Sequence, residues 1–184
     1  MARKNGVTTE TAKRMILDSG AVYINYDTAD ERLFGATRDG NEFTVEQDVR
    51  EIEVDGLRGP TKGFRRIIEE HVRLNVNMLE MTSENVKQAL IGSAVEELTG
   101  EDVITRSLKM DDIEYVENIA LVADYSGQDE PVVIILKNPL ADGNFTLNAE
   151  DRNESSVEIQ FTAHFDPENL DESPFEIRFP TDTA

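Results

Sequence analysis

In the segment NEFTVEQDVREIEVDGLRGPTKGFRRIIEEHVRLNVNMLEMT, residues 41–82, two long alternating runs flank a glycine-rich connector, DGLRGPTKG at 55–63. In the second run Ile68, Val72, Leu74, Val76 and Met78 occupy even positions, interrupted only by Glu70, while Glu69, His71, Arg73, Asn75 and Asn77 hold the odd ones. A period of two places an apolar row on one face of a strand and a polar row on the other. The run is more than twice the common strand length of about 5–6 residues. A hairpin this long, with one dry face and one uniformly polar face, suits a sheet with water or a passage on its far side. In the first run Phe43, Val45 and Val49 are odd but Ile52 and Val54 are even, so a β-bulge near Arg50 is expected to bring both sets onto one face.

Outward from this hairpin the chain alternates strand and turn signals. Residues 8–18 read as a short helix capped by Thr8 or Thr9 and broken by Gly20. Residues 21–26 and 33–37 read as strands, the second ended by a turn at Asp39-Gly40-Asn41. Residues 82–91 read as a helix capped by Thr82 or Ser83, with Glu84 near its positive end, a stripe of Val86, Ala89 and Leu90, and Gly92 as terminator. Residues 93–112 lack a period and read as a long loop. Strands follow at 113–124, 132–138, 145–149 (after a turn at Asp142-Gly143-Asn144), 157–165 and 175–179. Eight or nine strands with one firm helix predict a mainly β fold, a β-sandwich or barrel-like domain with a flanking helix. The expected organisation is a single domain over 1–184, with an N-terminal arm at 1–19, the hairpin at 41–82 and the long loop at 93–112.

Composition narrows the function classes. The 184 residues are 39% hydrophobic and contain no cysteine, which argues against global disorder and removes disulfides, thiolate metal sites and cysteine nucleophiles. The longest uninterrupted aliphatic run is 132–136, so neither a signal peptide nor a membrane span is expected, and synthesis in the cytoplasm is. The 38 acidic against 18 basic residues give a net charge of −20, which disfavours specific nucleic-acid binding but suits a surface past which DNA slides without sticking. Plain solubility, or a host with a salty cytoplasm, accounts for the same charge.

Signals for chemistry are weak. His71 and His164 lie near Glu69 and Asp166, but no HExxH-type spacing accompanies them, and exposed histidines are expected rather than a metal site. The connector 56–63 resembles a phosphate loop superficially, yet it lacks Ser or Thr after Lys62 and leads into a strand instead of a helix. The acidic stretch 166–172 lacks the alternation and glycine of a calcium loop. No carboxylate pair sits in an apolar setting. No catalytic residue, metal or cofactor is therefore expected, and the chain reads as non-enzymatic.

The order GAVYINY (20–26), LFGATRDGNEF (33–43), IEVDGLRGPTKG (52–63) and LNVNMLEMTSENVKQAL (74–90), closed by AHFDP (163–167) and PFEI (174–177), resembles the major tail tube proteins of long-tailed, non-contractile bacteriophages and related viruses. The resemblance spans about residues 20–179. It implies a structural virion protein whose β-sandwich assembles as hexameric rings stacked into a hollow tail tube, with the hairpins joined side by side in an intersubunit β-barrel around the lumen. On this basis Glu46, Asp48, Arg50, Glu69, His71, Arg73, Asn75 and Asn77 are candidates to face the channel, and Asp55, Arg58 and Lys62 to contact the next ring. Implied partners are further copies of the chain, a tape-measure protein, tail terminator and distal tail or baseplate proteins, and viral DNA in transit without specific binding. The implied location is the virion tail, with assembly in the host cytoplasm and no membrane partner.

Two other classes fit less of the sequence. One is a tube or ring protein of a secretion or contractile injection system, distinguished by isolated stackable rings in place of long tubes. The other is an acidic β-sandwich module for calcium or carbohydrate, distinguished by tight ligand binding to a stable monomer. Because every copy carries −20, strand pairing and apolar contact must outweigh repulsion on assembly. Raising ionic strength is therefore expected to promote assembly in sedimentation or light scattering, and equal assembly at low and high salt would contradict this.

Overall fold

The computed structural model describes residues 6–8, 10–147, 149 and 151–181; Thr9, one of the two expected helix caps, lies outside them. The described chain is a two-layer antiparallel sandwich with eleven strands, one α-helix and two short 3₁₀ turns. The first layer is ordered β11-β8-β7-β1-β2, from strands β1 (Ile16–Ile24), β2 (Arg32–Leu33), β7 (Asn118–Tyr125), β8 (Val132–Lys137) and β11 (Phe175–Arg178). The second is ordered β3-β4-β10-β9, from β3 (Thr37–Glu51), β4 (Arg65–Met78), β10 (Val157–Thr162) and β9 (Leu140–Ala141). A separate hairpin, β5 (Ser93–Leu98) with β6 (Glu101–Arg106), joins neither layer. Neither layer closes into a barrel within one copy.

The core lies where the even row of β4 meets the first layer. Val72, Leu74, Val76 and Met78 are fully buried, together with Val22, Ile119, Leu136, Val157 and Phe161, and Phe34 meets Phe161 edge to face at 6.0 Å. Each such side chain removed from water contributes about 1.5–3 kcal/mol. The alternation fails at Glu70 because this carboxylate sits at the rim of the sandwich. It accepts hydrogen bonds there from Gln47 Nε2 (2.8 Å) and Ser173 Oγ (2.6 Å).

The helix α1 (Ser83–Gln88) is shorter than its sequence span, and Thr82 caps it by accepting from Asn85 N at 3.2 Å. Its inward anchor is polar. Asn85 is buried, donates Nδ2 to Phe34 O (2.6 Å) and Glu80 O (3.0 Å), and accepts from Arg32 Nη1 at 2.6 Å, which ties the helix to both layers. Gly92 then turns the chain at φ +70°, where a Cβ would stand 2.5 Å from Ser107 O.

Several expectations are corrected. Residues 8–18 form only a 3₁₀ turn at Thr11–Lys13, and β1 starts at Ile16, running through Gly20 as an irregularity in its pairing with β7. Asp39 and Gly40 do adopt positive φ, but as a bulge inside β3 instead of a turn ending a strand, since Thr37 and Asn41 oppose Met78 and Val76. The 93–112 segment is a hairpin followed by a 3₁₀ turn at Met110–Asp112, because Thr99-Gly100 reverses the chain and sets Val95 against Ile104. Ile113 and Tyr115 precede β7, and Phe145 packs on the core without entering a strand.

Replacing Asn85 with alanine leaves the Phe34 carbonyl without its side-chain donor and removes an acceptor from the half-buried Arg32 guanidinium, which keeps only Glu84 at 3.8 Å. The expected loss is about 1–3 kcal/mol in urea unfolding, whereas Ile67→Ala, on the exposed part of β4, should change stability by less than about 0.5 kcal/mol.

Candidate functional site

The hairpin does carry a bulge near Arg50, at the step between Asp48 and Val49, but its extra residue lies on β4 and not on β3. Asp48 opposes Glu69 and Val49 opposes Ile67, which leaves Ile68 as the extra residue. Val49 keeps the phase of Val45 across this step, and β3 ends at Glu51, so Ile52 and Val54 belong to the turn region. Arg50 consequently stays on the polar face, directly across from Arg66.

That face collects all eight sequence-derived channel candidates. Glu46 opposes His71, Asp48 opposes Glu69, and Arg73, Asn75 and Asn77 continue the row toward the end of β4. Their side chains are exposed or half-buried over the full length of the strands, while the opposite face is dry as far as Val72. Pairing with β10 extends the surface, for Glu158, Gln160 and Thr162 stand across from Asn77, Asn75 and Arg73. Those three were missed because the 157–165 alternation drew attention only to its apolar row; its polar row was equally readable.

The face is laced by short polar contacts. Arg73 Nη1 donates to Glu46 Oε2 at 2.6 Å, Gln160 Nε2 to Asn75 Oδ1 at 3.2 Å, and Thr162 Oγ1 to Asp142 Oδ1 at 2.7 Å. His71 Nε2 lies 3.6 Å from Glu69 Oε2. Six acids (Glu42, Glu46, Asp48, Glu69, Asp142, Glu158) stand with three arginines (Arg50, Arg66, Arg73), so the surface is mildly negative and most of the −20 lies elsewhere. Surface pairs of this type contribute about 0–1 kcal/mol each, and their arrangement makes a smooth polar wall without a strongly attractive centre.

The hairpin also outruns its layer. Beyond the bulge Val49, Ile67 and Ile68 are exposed on strands that project past the core. Asp55, Arg58 and Lys62 lie in the exposed turn at its tip, and none forms an ion pair among the described residues. The outer edge of β3 has no partner strand among the described residues, and on the β10 side β4 is paired from Arg73 to Met78, with Ala163 N donating to Val72 O at 2.9 Å just beyond.

Elsewhere the described residues hold no group of three or more His, Asp or Glu side chains placed to bind a metal ion. His164 Nδ1 lies 3.1 Å from Asn138 O, and the ring packs edge-on against Tyr115. The Glu176 carboxyl is held below the ordinary carboxylate range by a hydrogen bond from Arg178 Nε at 2.7 Å, opposed by slight burial; this is a surface pair and not a poised acid.

If the polar row is solvent-facing in the monomer, Glu69→Gln and Asn77→Ser should each leave the urea midpoint within the equivalent of about 0.5 kcal/mol. A loss above about 2 kcal/mol would show that the row is packed within one chain.

No protein-family model matches the chain, and no curated protein matches it. Among solved structures it is similar to a chain in the virion of a native gene transfer agent particle, with a TM-score of 0.47 and 7% identity over 80% of this chain and 92% of that one. It is also similar to a chain in the tail of an empty gene transfer agent particle determined with C6 symmetry, with a TM-score of 0.44 and 8% identity over 89% and 96%.

Proposed function

We propose that this chain is the structural protein of a phage-like tail tube, in which copies join through the β3–β4 hairpin into rings that stack around a channel passed by DNA. The observation that carries this reading is the hairpin itself. Its strands are fifteen and fourteen residues long, with a continuous polar face and an outer edge that has no partner strand among the described residues. A long bare edge is a template for pairing, and in a closed barrel each edge finds a partner. The order of sequence features from GAVYINY to PFEI supports the same reading through its resemblance to tail tube proteins, and the sixfold ring is what that resemblance implies.

Barrel geometry states how much of the sheet such a ring requires. With strands about 4.8 Å apart and tilted by about 40°, two strands from each of six copies close a backbone circle about 24 Å across, leaving a bore of about 14 Å inside the side chains. That is narrower than a B-form duplex. Three or four strands per copy give a bore of about 26–38 Å on the same arithmetic. The face contributed by β10 thus belongs to the proposed lining, and Glu158, Gln160 and Thr162 join the eight residues named above. A lining of amides, hydroxyls and mixed charges would hold DNA weakly, as passage requires.

The test is negative-stain electron microscopy of the purified chain over a range of concentrations and salt. Long smooth tubes with a central channel are expected. Isolated stackable rings would favour the secretion-type reading, and a monomer under every condition would end the proposal.

A further inference from the structure

Two apolar patches of the chain stand in water, and they lie at one end of the sandwich on opposite flanks. The first is the overhang of the long hairpin, where Val49, Ile67 and Ile68 are 44%, 52% and 49% exposed. Val49 keeps the dry-face phase of Val45 and opposes Ile67, with Ile68 as the extra residue beside it. The second is the segment 107–112, in which Leu108 and Met110 are each 86% exposed, more than any other large apolar residue described. That segment is fixed by its own hydrogen bonds. Ser107 N donates to Gly92 O at 2.8 Å and Ser107 Oγ to Asp112 Oδ2, while Asp112 N donates to Lys109 O and Ile113 N to Met110 O, both at 3.2 Å. Single exposed aliphatics are ordinary, but two presented together on a fixed turn mark a contact surface.

The backbone pairing places both patches. The overhang begins at Glu70, where Ser173 Oγ donates to its carboxylate at the rim of the first layer, and Lys137 N donates to Pro174 O (2.8 Å) at the same rim. From Met110 the chain runs to Tyr115, whose ring packs edge-on against His164 at 5.1 Å; His164 N in turn donates to Lys137 O (3.2 Å), so the second patch reaches the same end. Val116 packs against the core, which puts this segment on the dry side of the second layer. Val116 N also donates to Pro139 O (3.3 Å), immediately before β9. In the order β3-β4-β10-β9, the overhang therefore belongs to one flank and the 107–116 segment to the other, with the width of the sheet between them.

We infer that Leu108 and Met110 of one copy cover the overhang of the neighbouring copy in a ring, closing on its Val49, Ile67 and Ile68. The occupant is a second copy of this chain because rotation about a ring axis repeats every residue at one height and on one side of the wall. Where such sheets follow one another, the β9 flank of one copy meets the β3 flank of the next, and both patches are then at the same end and on the same dry side. The two surfaces differ, so the contact is heterologous and runs around the ring instead of closing as a symmetric dimer. Position and apolar character select it, not charge; Glu51 beside the overhang is already paired with Arg65 at 2.5 Å. The contact deepens the tube reading by naming what shields the back of the projecting hairpin, and it rests on that reading for the rotational order of the copies.

Variants of the full chain test it. L108S/M110S and V49S/I67S should each raise the concentration for half-maximal assembly at least about tenfold. Circular dichroism and urea unfolding should match the wild type, because these side chains are largely in water within one copy. The cysteine-free chain also allows the double variant I67C/M110C. Each copy then offers one thiol forward and one back, so mild oxidation should give a ladder of linked multimers on a non-reducing gel. L33C/M110C, whose Leu33 is 54% exposed but distant from the hairpin on β2, should give no ladder. If the wild type assembles, but the serine variants assemble at the same concentration and I67C/M110C gives no more ladder than the control, the contact is wrong and the tube reading survives. A ladder from a chain that never forms tubes would uphold the contact and end the tube reading. A chain that neither assembles nor ladders overturns both.

Discussion

A β-strand must satisfy its backbone on two edges and its side chains on two faces, and the long hairpin of this protein meets those demands only over part of its length. On the dry face, Val72, Leu74, Val76 and Met78 are sealed by the first layer, but past the bulge that layer ends and Val49, Ile67 and Ile68 stand in water. On the edges, β10 and the Ala163 that follows it cover β4 from Val72 to Met78, and the rest of β4 and the whole outer edge of β3 have no partner strand among the described residues. Native proteins blunt exposed edges with charge, bulges or covering segments. Here the edge is long and, among the described residues, uncovered.

This constraint gives the rest of the molecule its logic. The sandwich behind the hairpin acts as an anchor, built from β-branched and aromatic residues that alternate inward. The helix is joined to it through Asn85, whose amide contacts both layers at once, so the passage from β4 to the helix is fixed by hydrogen bonds more than by apolar area. Charge is distributed unevenly over this frame. The polar sheet face is mildly negative, and most of the excess acid lies on the remaining surface. Net charge by itself would have suggested a uniformly repulsive particle.

Much of the architecture was legible in the alternation of apolar and polar residues. The two-faced character of β4, the apolar strand β8, which lies one place in from the edge of its layer, the capped helix and the last strand all follow from periods and caps read locally. What escaped had non-local causes. Asp39-Gly40 signals positive φ, but whether such a pair ends a strand or bulges within it depends on whether the partner strand continues, and Met78 and Val76 do continue opposite it. The 93–106 hairpin hid because its pairs mix acids with aliphatics and none of its residues is more than half-buried, so no apolar row marks a face. Asn85 was overlooked as an anchor because a polar residue on a helix is ordinarily taken as solvated, and only the carbonyls of Phe34 and Glu80 make its burial favourable. For the candidate site, the polar row of the hairpin was readable residue by residue, whereas the share of β10 required knowing which strand pairs with β4.

Ile68 separates two properties that are usually entangled in a sheet. A bulge increases local twist and bends the strand that carries it. Yet on either side of Ile68 the pairs Asp48 with Glu69 and Val49 with Ile67 keep the same assignment of faces they would have in an uninterrupted ladder. Curvature is thus set by one supernumerary residue, while surface chemistry is set by alternation. In a closed circle of such hairpins the bend at each copy and the character of the wall could diverge independently over generations: gain or loss of a single codon would alter the arc, and substitutions along the polar row would alter what the wall presents, neither disturbing the other.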